Sequence, residues 1–128
     1  MKKTEIKIAG KKVNIAYCYA TEIAYKDLSG EDIAAIIQEI VACVNAQPAR
    51  MPDTKRSIFL VLAAIMAYYQ SKDEEAPIKD TDLMNDTTPL ELGTALGAII
   101  TLRAQFYSIP KGEPEDKPAK GKGKKAKN

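Results

Sequence analysis

Apolar residues run without a break from Ile58 to Ala67 and end in two phenols, Tyr68 and Tyr69. These twelve residues would make about 18 Å of α-helix at ~1.5 Å per residue, well short of the ~20 apolar residues that cross a bilayer. The stretch therefore predicts a buried core helix. Asp53 or Thr54 caps its start, Lys55 and Arg56 occupy its first turn, and Gln70, Ser71 and Lys72 close it. On a helical wheel Ile58, Val61, Leu62, Ile65 and Tyr69 form a bulky face, and Leu60, Ala63, Ala64 and Ala67 a smaller one. A helix that is apolar all round needs neighbours all round.

Upstream, Thr4 to Ile8 and Val13 to Tyr17 alternate apolar and polar positions around Ala9-Gly10-Lys11-Lys12, which predicts a β-hairpin. An isolated hairpin is marginal in water, so its apolar face must lie on the helices. Thr21 is expected to cap a short helix to about Leu28, ended by Ser29-Gly30. Glu31 and Asp32 open the next helix, in which Ile33, Ile36, Ile37, Ile40, Val41 and Val44 fall on one stripe. Gln47 to Pro52 breaks that pattern with two prolines.

Downstream, Ser71 to Asp86 is polar and acidic and reads as a long loop with one helical turn at Thr81 to Met84. Thr87 or Thr88 then caps a helix with Pro89 at its first position and Glu91 in its first turn. It runs to about Tyr107 with an apolar arc of Leu92, Ala95, Leu96, Ile99, Leu102 and Phe106. The fold class predicted is mainly α within α+β: an N-terminal β-hairpin packed on about four helices around a central apolar one. The expected single domain spans residues 1–110. Residues 111–128 have no large apolar side chain to offset the entropy of ordering, which predicts a disordered Lys-rich tail.

Charge changes the picture less than the net +2 suggests. Residues 1–110 carry 12 Lys and Arg against 14 Asp and Glu, while residues 111–128 carry seven Lys against three acids. A body near −2 lacks the cationic face of a duplex-binding domain. The tail lysines Lys120, Lys122, Lys124, Lys125 and Lys127 are the candidate nucleic-acid contacts. With no aromatic residue to stack on bases, they imply weak, unspecific binding.

The chain contains no histidine and only two cysteines, Cys18 and Cys43, which sit in apolar surroundings and read as reduced core thiols. Four-ligand zinc sites built from His and Cys are thereby excluded, and the phosphate-loop, dinucleotide and nucleophile-elbow motifs do not occur. Asp73, Glu74, Glu75, Asp80, Asp82 and Asp86 lack the spacing of a calcium loop. The start Met1-Lys2-Lys3-Thr4 leads straight into the alternating pattern without an apolar signal run. These observations predict a cytoplasmic, non-enzymatic protein without cofactor or membrane contact, one that works by gripping other chains.

The candidate partner-binding residues lie on the last helix: Leu92, Leu96, Ile99, Arg103, Phe106 and Tyr107, the first three of which also read as ordinary core. Arg103 falls inside the apolar arc, where it either snorkels outward or anchors a partner beside the two aromatic rings.

Three stretches carry a family resemblance: Glu5-Ile6-Lys7-Ile8-Ala9-Gly10-Lys11-Lys12-Val13, then Tyr25-Lys26-Asp27-Leu28-Ser29-Gly30-Glu31-Asp32-Ile33, and the final Phe106-Tyr107-Ser108-Ile109-Pro110. With the Ala-rich apolar helix between them, this order of elements over about residues 4–110 resembles the small tail assembly chaperones of long-tailed bacteriophages and prophages. The resemblance implies a protein that coats the apolar tape measure protein, helps recruit tail tube subunits, and is absent from the finished particle. A structural or adaptor component of a phage particle and a small nucleic-acid-associated regulator share the same composition. A homo-oligomer is compatible with each.

Overall fold

The computed structural model describes residues 1–108, and the Lys-rich tail, with all five of its candidate contacts, lies outside them. The order of elements is β1 (Lys2–Ile8), β2 (Lys11–Tyr17), α1 (Tyr19–Ser29), α2 (Ile33–Asn45), α3 (Thr54–Ser71), α4 (Asp80–Asp86) and α5 (Pro89–Phe106). This is the mainly α architecture with an N-terminal hairpin that the pattern predicts.

The hairpin turn is shorter than expected. Ala9 and Gly10 both adopt positive φ, 50° and 76°, the pairing that a two-residue turn with the right twist requires. Each strand therefore gains two residues, and Ile8 lies opposite Lys11 with Ile6 opposite Val13. The inward face, Ile6, Ile8, Val13, Ile15 and Tyr17, is buried against α3 and α5.

α1 begins earlier than the sequence suggests. Thr21 is not its cap but its third residue, fully buried, with a hydroxyl that accepts from the Cys18 N–H (3.2 Å) and donates to the Ala16 carbonyl (2.9 Å). It joins the end of β2 to the first helical turn. The predicted glycine stop holds, with Gly30 left-handed at φ 80°.

α3 occupies the position its composition demands. Ser57, Ile58, Leu60, Val61, Ala63, Ala64, Ile65 and Ala67 are buried, and no residue from Ser57 to Tyr69 is fully exposed. The helix packs on β2, α1, α2, α4 and α5. Asp53 caps it, accepting from the Arg56 N–H at 2.9 Å, and the Tyr69 hydroxyl accepts from the Asn14 N–H of β2 at 3.2 Å.

Two expectations are corrected. Val41 and Val44, read as part of the core stripe of α2, are 45% and 67% exposed, because the stripe is wider than the face α3 covers. The acidic stretch holds a two-turn helix where one turn was expected. Asp82 accepts from the Lys79 N–H at 3.1 Å, and Ile78 and Leu83 are buried as its anchors.

Polar ties fasten the outside of this core. Arg56 reaches Glu31 through Nε and Glu39 through Nη1, each at 2.9 Å, and Glu39 also accepts the Asp53 N–H at 2.8 Å. Glu91 accepts from Thr88 N–H (3.0 Å) and from Gly10 N–H (3.1 Å), so the cap of α5 also holds the hairpin turn. Hydrogen bonds favour the charged form of each acid and hold all three carboxyls below the usual range: from Tyr25 and then Arg56 at Glu31, from Asp53 N–H and then Arg56 at Glu39, from Thr88 N–H at Glu91.

A depressed folded-state pKa stabilises above the unfolded value of ~4.3, and that contribution is lost as pH falls through the folded value. Thermal melts should therefore change little between pH 7 and ~5, then fall in midpoint below ~4.5. Glu31→Gln with Glu39→Gln should flatten the acid limb; an unchanged limb would remove these acids from the account.

Candidate functional site

Along one side of α5 the core is left open. α2 and α5 do not close on each other, and the segment between α2 and α3 bridges the gap with Met51 and Pro52. The result is an apolar trough of two chambers that share Met51. The larger, about 550 Å³, lies between the start of α3 (Lys55, Ile58, Phe59), α4 (Leu83, Met84) and the start of α5 (Pro89, Leu92). The smaller, about 270 Å³, lies between α2 (Ile40, Val41, Val44) and the middle of α5 (Leu96, Ile100).

Gly93 and Gly97 form part of the floor of the second chamber, and a Cβ placed on either meets nothing within 4 Å. Their missing side chains leave the helix backbone accessible to a close neighbour. Met51 and Met84, 49% and 59% exposed, stand at the edges as flexible, polarisable side chains of the kind that adapt to varied apolar partners. Lys55 is the one charged residue in either lining, and its Nζ lies 5.7 Å over the Phe59 ring. The trough offers apolar area and shape, with no histidine, cysteine or carboxylate in the lining of either chamber.

The six residues of α5 singled out from the sequence divide into two groups. Leu92, Leu96 and Ile99 are 6%, 2% and 0% exposed and belong to the core that joins α5 to the hairpin and α3. Leu92 and Leu96 show only an edge, at the bottom of the larger and smaller chamber respectively. Of the two readings open for Leu92, Leu96 and Ile99, partner-binding face or ordinary core, their burial places them in the core.

Arg103, Phe106 and Tyr107 gather instead at the far end of α5 against α1. Phe106 stacks edge-on with Tyr19 at 5.1 Å and tilts against Tyr17 at 5.6 Å. The Arg103 guanidinium lies 5.1 Å over the Tyr107 ring. One oxygen of Glu22 accepts from both the Tyr17 hydroxyl, at 2.6 Å, and the Tyr107 hydroxyl. Burial, then the hydrogen bond to Glu22, raises the Tyr17 phenol well above its ordinary value, while the hydrogen bond to Glu22 pushes Tyr107 up to about 12. Both stay protonated donors at neutral pH, so the cluster acts as a clasp on α1. Tyr107 remains 46% exposed beside the exposed Tyr19 and Ile23.

The residues that line the trough were missed because none is unusual alone. Val41 and Val44 look like core on a helical wheel, and Met51 sits in a proline-rich break. The usable signal was the pair Gly93 and Gly97, four apart inside a strongly apolar helix where glycine costs stability. Among the described residues no group of three or more His, Cys, Asp or Glu is placed to hold a metal ion, and no helix is long and apolar enough to cross a membrane. Neither protein-family models, nor curated proteins, nor solved structures match the chain.

If the glycines serve the trough and not the fold, replacing them stabilises the protein. Both lie inside α5 without positive φ and with open space for a methyl group. Gly93→Ala and Gly97→Ala should each raise unfolding free energy by about 0.5–1 kcal/mol in urea titrations. A loss of stability would mean that a close contact in the fold requires them.

Proposed function

We propose that this chain is a non-enzymatic tail assembly chaperone of a long-tailed bacteriophage or prophage. It would act in the bacterial cytoplasm by holding apolar helical segments of the tape measure protein. The observation that carries the proposal is the trough, two apolar chambers in line along α5 and open to solvent on a chain whose other apolar residues are mostly packed away.

A chaperone for a long helical chain needs such a groove and no bond-making groups. An amphipathic helix laid in a hydrophobic groove is a recurrent mode of recognition. Burying one bulky side chain is worth roughly 1.5–3 kcal/mol, so two anchors give on the order of 3–6 kcal/mol before the costs of association. Binding of that strength is reversible, which suits a protein that must leave before the tail is complete. The order of elements that resembles this chaperone family is consistent with the same reading.

The test is co-expression with a fragment of a tape measure protein, reading the soluble fraction of that fragment. The wild-type chain should raise it several-fold. Gly97→Leu, which fills the smaller chamber with its own side chain, and Met84→Glu, which places a charge at the mouth of the larger, should abolish the gain. Leu90→Glu should retain it, since Leu90 is 81% exposed and outside the lining. No gain with the wild-type chain, or an undiminished gain with both blocked variants, would overturn the proposal.

A further inference from the structure

The two chambers are arranged so that they constrain what enters them. On α5 the larger chamber is lined by Pro89 and Leu92, the smaller by Gly93, Leu96, Gly97 and Ile100. The centre of the lining thus shifts by about six residues, roughly 9 Å at ~1.5 Å per residue. A helix lying along α5 returns to the same face every seven residues, about 10.5 Å, within about 1.5 Å of that separation, whereas a spacing of five turns the second anchor about 140° away from the trough. The chamber of about 550 Å³ has room for an aromatic ring, and that of about 270 Å³ for an aliphatic side chain.

Charge sets the rotation of that helix about its axis. α4 forms one wall, and it carries Asp80, Asp82 and Asp86 with Lys79 at its N-cap. Asp80 is exposed and lies four residues before the lining residue Met84, on the same face of α4 and one turn outside the lining. The wall contributed by α3 carries Lys55 instead. The lining itself holds no acid, so the charge that a bound helix would meet comes from Asp80, one turn beyond Met84 on α4, and from Lys55 on the α3 side.

We infer that the trough selects an amphipathic helix with an aromatic anchor and an aliphatic anchor seven residues apart, and with basic residues along the edge that meets α4. This rests on the chaperone reading for the site and adds the chemistry of the occupant. The chain's own Lys-rich residues 111–128 carry the complementary charge but no large apolar side chain for the chambers.

Fluorescence anisotropy with three labelled helical peptides of about 18 residues tests the inference on the full chain. The first carries Phe and Leu seven apart with a lysine edge, the second replaces that edge with glutamate, and the third moves the Leu to a spacing of five. At low salt the first should bind at least tenfold tighter than either other peptide. Asp80→Lys, with its helical circular dichroism unchanged, should erase its advantage over the second.

Equal binding of the first and second peptides, or of the first and third, overturns the inference and leaves the chaperone reading standing. No binding by any peptide alongside successful solubilisation of the tape measure fragment does the same, whereas failure of both experiments removes the reading itself. A protein that sediments as a dimer which the first peptide does not dissociate assigns the trough to a second copy and also overturns the inference.

Discussion

Removing one apolar rod from water on every side is the constraint that orders this molecule. From Ile58 to Ala67 the chain offers no polar side chain to face solvent, so α3 has no acceptable surface position. β2, α1, α2, α4 and α5 all pack on it, and the hairpin, which would not persist alone, is stabilised by lying across α3 and α5. Packing against the rod consumes the best apolar faces of its neighbours. α2 turns Ile33, Ile36, Ile37 and Ile40 inward and is left with Val41 and Val44 outside, and those two residues begin the trough.

Polar interactions play a different part. None replaces the core; each fastens one element to another at its rim. Arg56 joins the start of α3 to Glu31 and Glu39 on the α1–α2 side, Glu91 joins α5 to the hairpin turn, and Glu22 joins α1 to the end of α5. Ion pairs of this partial exposure contribute modestly to stability but fix orientation. Among the described residues no ion pair joins α2 to α5, and Met51 and Pro52 line the open space between them.

Most elements could be read from the chain because local signals agreed with the tertiary outcome. Alternation at Thr4–Ile8 and Val13–Tyr17, the glycine stop at Gly30, the cap at Thr88 with Pro89 and Glu91, and the unbroken run of α3 each named its element. The failures have physical reasons. Thr21 has the chemistry of a cap, yet its hydroxyl serves a strand carbonyl as well, a partner that exists only once β2 and α1 are assembled. α4 buries Leu83 as its one fully enclosed residue, with Ile78 just before it, too few positions to leave a helical period. The trough was illegible because a groove is what neighbours fail to cover, and a helical wheel assigns Val44, Leu92 and Leu96 to the core alike. Only the third dimension separates the exposed one from the enclosed two.

That enclosure can be measured directly by native-state hydrogen exchange. If α3 is the enclosed rod around which the chain is built, its amides from Leu60 to Ala67 open only with global unfolding, and their exchange free energy equals that from urea denaturation. Exchange in that segment at a free energy below that of α5 or of the hairpin would contradict the account, since the rod would then be reaching water without its neighbours letting go.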